Sequence, residues 1–173
     1  MRIKDMCICS LIAILIAVGA FIKIPIGMVP ITLQTLFLVL GAFLIKKKIV
    51  ISVLLYLIMG LIGIPVFVNG GGFTYVLMPS FGYLIGFLFA GYYIGSYKKE
   101  RMLWLILRSF LGILFIYLIG VIYFVLIEWV YYQQVFSFTY LFYYLFLIYL
   151  PGDLLSIIVA ISIYKRIHPF FQT

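Results

Sequence analysis

Hydrophobic positions run almost unbroken along this chain, and polar ones gather in short clusters between the runs. The apolar stretches fall at roughly 6–22, 30–45, 49–66, 80–97, 102–127 and 150–167. Crossing the hydrocarbon core of a bilayer takes about 20 residues of helix, fewer where flanking side chains snorkel. The runs are long and do not alternate, which excludes a membrane β-barrel and predicts helices. Between them, "IKIPIGMVP" (22–30) and "IPVFVNGGGFTYVLMPS" (64–80) carry the Pro and Gly of loops, and "KKK" (46–48) is a tight connection. The aromatic stretch 131–149 reads either as an interfacial helix or as part of a longer last span broken at Pro151.

Composition identifies the solvent. Of the 173 residues, 68% are hydrophobic and 9% charged, with a mean hydropathy of +1.34. A soluble domain has about a quarter of its residues charged, so this chain cannot cover a water-facing surface. In lipid each spanning segment must satisfy its own backbone, which a helix does. The expected fold is therefore an all-α integral membrane protein, a six-helix bundle forming one membrane domain over 1–173. Charge placement then orients it. The net charge is +8, but the basic residues cluster at Arg2 and Lys4, Lys46–Lys48, Lys98, Lys99 and Arg101, and Lys165 and Arg166, leaving only Lys23 and Arg108 apart. Spaced this way they follow the positive-inside rule rather than a nucleic-acid face. Both termini are expected in the cytoplasm of a multi-pass plasma-membrane protein, with 23–30, 67–79 and 128–149 outside. Arg108, about a turn and a half into the fifth span, is expected to snorkel.

The chemistry available is sparse. There is no phosphate-binding G-x-x-x-x-G-K-[ST], no H-E-x-x-H, and one histidine, His168, close to the cytoplasmic tail. Cys7 and Cys9 lack the further ligands a zinc site needs. No metal or cofactor is expected. The acids are Asp5, Glu100, Glu128 and Asp153. The first two sit among basic residues, and Glu128 is expected to be solvated at the start of an outer loop. From Trp129 to Tyr164, Asp153 is the one carboxylate, and no basic residue accompanies it. In "PGD" it reads as an N-terminal helix cap, or as an acceptor aimed into an outward cavity. The "NGGGF" loop (69–73) is either a flexible connector or a lid whose backbone N–H groups approach a ligand, with Phe73, Tyr75, Tyr83 and Tyr117 walling an apolar pocket. Small residues four apart, Ala13/Ala17, Gly82/Gly86/Ala90 and Gly91/Gly95, permit close helix approach.

Several stretches together resemble one family. "AVGAFIKIPIGMVPITLQTLFLVLGAFL" (17–44), "YLIMGLIGIPVFVNGGGFTYVLMPSFGYLIGFLFAGYYIG" (56–95), "YLIGVIYF" (117–124) and "LPGDLLS" (150–156) are similar, in order and spacing, to BioY. BioY is the biotin-specific substrate-binding component of energy-coupling factor vitamin transporters. The resemblance implies a six-helix subunit that captures biotin from outside. Its partners would be a transmembrane T protein and two ATPase subunits, which would supply the ATP hydrolysis that this chain has no motif for. It also implies docking to the T protein through an Ala-x-x-x-Ala pattern, here Ala13 and Ala17. By likeness, the substrate-binding residues are Asp153, Ser156, Asn69, Gly71, Phe73, Tyr75, Tyr83, Tyr117 and Gln34.

One departure stands out. The family pattern continues Pro-Gly-Asp-Leu-Leu-Lys, and this chain has Ser156 in place of the lysine. Asp153 keeps a role toward the ureido N–H groups of biotin. The partner of its carboxylate is left open among Ser156, a hydroxyl of Thr74 or Tyr75, loop N–H groups and Lys23, or the substrate is a biotin relative or another small vitamin. An enzyme acting on lipid would need clustered acids or histidines that are absent from the sequence. A purely structural subunit would leave Asp153 and the Gly-rich loop incidental.

Overall fold

A computed structural model describes residues 3–25, 29–97 and 101–171. Arg2, Lys98, Lys99 and Glu100 of the expected charge clusters lie outside the described residues, as does the side chain of His168.

Helix α1 (Ile3–Phe21) opens the chain and is followed by a hairpin of β1 (Lys23–Ile24) and β2 (Ile31–Thr32). The hairpin is antiparallel with Lys23 opposite Thr32 and Ile24 opposite Ile31. Helix α2 (Gln34–Ile45) then meets α3 (Ile49–Leu61) across a single 3-10 turn formed by the three lysines. The second expected run begins at 30 but its helix waits until Gln34, because Pro30 and the hairpin hold the chain extended. The third ends at Leu61 rather than 66. Gly63 takes φ 109° there, which only glycine adopts without strain, and Pro65 follows.

Helix α4 (Phe81–Gly95) packs along α5 (Met102–Val130), and the last helices are α6 (Phe138–Phe142) and α7 (Leu150–Phe171). In lipid, tails are as apolar as leucine, so helices associate by close packing rather than by a hydrophobic effect. The α4–α5 seam shows how. A Cβ on Gly86 would stand 2.8 Å from the Cα of Ile116, so the missing side chain is what lets the two backbones meet. Ala13 and Ala17 likewise turn inward, 1% and 6% exposed, among the core residues of α1, α2 and α3. The outward faces carry Ile14, Val18, Leu118, Ile122, Leu126 and Ile158, all exposed, a surface suited to acyl chains.

Three helical segments are long and apolar enough to cross a membrane: Ile3–Phe21, Met102–Val130 and Phe138–Ile167. The third resolves the ambiguous aromatic stretch. It continues into the last helix rather than lying apart, and the N–H of Asp153 is bonded to the Tyr149 carbonyl at 3.0 Å. Pro151 has no N–H to offer the turn before it. A π-helical turn at Tyr143–Leu147 lies immediately upstream, the kind of irregularity that absorbs such a gap.

One expectation about a charged residue is corrected. Glu128 is not solvated: it is 5% exposed, because α5 runs to Val130 and the chain folds back with the Gln134 N–H on the Glu128 carbonyl at 2.9 Å. Arg108 reaches the end of α4 that lies against the lysine turn. Its guanidinium lies 4.7 Å from the Tyr93 ring centroid and donates to the Tyr93 carbonyl at 2.6 Å, an acceptor it shares with the Ser96 N–H at the end of α4.

Candidate functional site

Asp153 is the side chain around which the site is built. It projects from the first turn of α7 and is 9% exposed. The hydroxyl of Tyr117 on α5 donates to its Oδ2, and the hydroxyl of Thr35 on α2 donates as well. Three helices therefore converge on one carboxylate. No cation pairs with it among the described residues, where the salt bridge found is Lys48–Asp5. A helix cap would bond to its own backbone N–H groups, whereas this side chain is held by two other helices.

Above it lies a cavity of about 60 Å³. Its walls are apolar where Val29, Leu84, Phe87 and Ile116 approach, and polar at a few fixed points. Gln34 is locked at two of its atoms: its amide N–H donates to the Tyr56 hydroxyl at 2.8 Å and its carbonyl accepts from Thr32 at 3.1 Å. The Tyr83 hydroxyl donates to the Leu145 carbonyl at 3.3 Å, and that of Tyr149 to the Val29 carbonyl. Tyr75 shares a 3.4 Å hydrogen bond with Ser80, and burial raises its phenol above the ordinary value, so it stays protonated. An apolar cavity with a few anchored polar groups is the usual form of a small-molecule site.

The loop between α3 and α4 meets this cavity through Val68, Tyr75 and Ser80, and its Gly-rich part is not slack. Phe67 is fully buried, packed edge-on against Tyr56 at 5.3 Å and tilted against Tyr75 at 4.5 Å between centroids. Gly72 takes φ 110° and donates to the Gly60 carbonyl at 2.7 Å, tying the loop to the end of α3.

Five of the residues singled out from the sequence line the cavity: Gln34, Tyr75, Tyr83, Tyr117 and Asp153. Four do not. Ser156 is 5% exposed, one turn further along α7 and outside the lining. Phe73 is 76% exposed and points away. Gly71 packs against the Ile64 carbonyl, and Asn69 is exposed with its Oδ1 toward Lys23 at 3.5 Å. The sequence reading missed Thr35, Ser80 and Tyr149. Tyr149 was findable, because it precedes Asp153 by one helical repeat and so shares its face. Among the described residues no group of three or more His, Cys, Asp or Glu could hold a metal ion.

A bundle of apolar-faced helices that closes on a small, mostly apolar cavity with a few fixed polar groups has the form of a ligand-binding membrane protein. The chain belongs to the BioY family, whose sequence model matches residues 1–173. It is 45% identical over 119 residues to a probable biotin transporter BioY of Lysinibacillus sphaericus, covering 66% of this chain and 61% of that one. It is 42% identical over 111 residues to the biotin transporter BioY of Thermotoga maritima, covering 62% and 66%. The matched stretch thus spans just under two thirds of the length of either relative. The fold is similar to the crystal structure of the S-component for biotin from an ECF-type ABC transporter, with a TM-score of 0.80, 26% identity and coverage of 96% of this chain and 92% of that one.

Proposed function

We propose that this protein is a biotin-binding subunit of a vitamin uptake system and has no catalysis of its own. The observation that carries the reading is Asp153, a buried carboxylate held by two hydroxyls and facing a cavity of few polar groups. A carboxylate in a dry site is costly unless it serves something. The ureido ring of biotin offers two N–H donors, which suit an acceptor with lone pairs remaining. Membership of the BioY family supports the same ligand.

The remaining features follow from that reading. The chain forms one domain of six spans with both termini cytoplasmic, which puts the lysine turn inside and the cavity outside, in the plasma membrane. Helices α2 and α3 have 12 and 13 residues, so they cross with help from the flanking hairpin, lysine turn and Gly-rich loop. Energy for uptake comes from a coupling module of one T protein and two ATPases. Docking to that module uses α1, the helix that carries Ala13 and Ala17 four residues apart. The site residues are Asp153, Tyr117, Tyr83, Tyr75 and Gln34. Calorimetric titration of the detergent-purified protein with a panel of water-soluble vitamins tests this. One equivalent of biotin is expected to bind and riboflavin and thiamine not to. A different vitamin binding in place of biotin overturns the assignment.

A further inference from the structure

Biotin is anionic at one end, yet among the described residues no lysine, arginine or histidine lines the cavity. A carboxylate that leaves water without a partner is disfavoured by several kcal/mol, roughly. The sequence leaves several sources for that partner, and the geometry separates them. Ser156 lies outside the lining. Thr74 is exposed and also outside it. The Tyr75 hydroxyl is already engaged with Ser80. In the loop, the Gly70 N–H donates to the Phe67 carbonyl at 3.2 Å and the Gly72 N–H to the Gly60 carbonyl at 2.7 Å.

Lys23 is placed differently. Its Nζ donates to the Val68 carbonyl at 2.6 Å and points at Asn69 Oδ1 at 3.5 Å, so it reaches from the hairpin to the Gly-rich loop. Val68 lines the cavity, and so does Thr32, the register partner of Lys23 across the hairpin. The short segment Thr32–Thr35 therefore runs from the residue paired with Lys23 to a hydrogen-bond partner of Asp153. One charge of each sign flanks that segment. An ammonium has three donors, and two are aimed at the loop, which leaves one for an incoming anion.

We infer that Lys23 is the specificity-determining cation of this protein, receiving the ligand's carboxylate at the cavity mouth where the family pattern would have a lysine at 156. The inference rests on the biotin reading. Lys23 acts on the ligand's charged tail and Asp153 on its ring, so the two ends of the ligand report on different residues.

The test compares biotin with its neutral methyl ester, by calorimetry, on the purified full chain. Wild type is expected to prefer biotin by about tenfold, the scale of one hydrogen bond to a charged group. Lys23→Met is expected to bind the ester as wild type does and to lose the preference, while Lys23→Arg keeps it. The preference of wild type is also expected to shrink at high salt, because the mouth is solvent-exposed. If Lys23→Met weakens biotin and ester equally, Lys23 is only a structural tie of the loop and the inference is overturned. It is overturned also if Lys23→Met keeps the wild-type preference. If wild type binds neither compound, the biotin reading itself is wrong, and this inference goes with it.

Discussion

The two ends of the bundle handle charge in opposite ways. At one end Lys4, Asp5 and Lys46–Lys48 border an open cleft of about 660 Å³, and the Lys48–Asp5 bridge at 2.7 Å leaves its side chains 47% and 26% exposed. Lys47 lies 4.9 Å from the centroid of the Tyr92 ring and Lys46 5.4 Å from that of Tyr97. At the other end the Asp153 carboxylate is enclosed by hydroxyls from two further helices. Charge that stays hydrated costs little and specifies little, so it marks orientation. Charge that is enclosed must be matched atom by atom. This difference is why the acidic end, with far fewer charges, is the candidate site.

Substitutions at the two ends should therefore differ in kind as well as size. Asp153→Ala removes the acceptor and strands two hydroxyls. Biotin binding should fall by one to two decades, as about 1–3 kcal/mol implies, with little change if Asp153 merely caps a helix. Gly86→Leu tests the frame that holds both ends. It drives a side chain into the Ile116 backbone, and overpacking of this kind costs about 1–3 kcal/mol. A drop in the melting temperature of the detergent-purified protein is expected, and unchanged melting would mean that the α4–α5 approach is not as close as described. Tyr117→Phe deletes one donor to Asp153 and should weaken biotin by about 0.5–1.5 kcal/mol. Least affected should be Lys48→Met. An exposed ion pair contributes about 0.2–1 kcal/mol to stability, and biotin affinity should not move. A loss of affinity there would erase the distinction between the ends.

How much of this was legible in the sequence depends on which physical scale each feature obeys. Helix existence follows composition over many residues, so the apolar runs correspond to α1, α2, α3, α4, α5 and α7. Ends follow single residues, and those were misjudged where a Gly or Pro acted early, as at Gly63, or where a helix persisted, as α5 does past Glu128. Asp153 was legible because it is alone in an apolar stretch. Its partners were less so: Thr35 and Tyr117 meet it only through the way α2 and α5 cross α7, which no local pattern encodes. Phe73 shows the converse failure. It has the composition of a pocket wall, but the Gly70–Gly72 turn sends Phe67 inward and Phe73 outward. Ala13 and Ala17 have the right spacing for helix contact, and spacing alone does not say with which helix.

A structure of the protein crystallised with biotin tests the central claim most directly. The ureido ring is expected within hydrogen-bonding distance of Asp153, in the cavity bounded by α2, α4, α5 and α7. Biotin seated elsewhere, for instance in the apolar groove of Leu118, Ile122 and Phe142 between α5 and α6, would contradict the account.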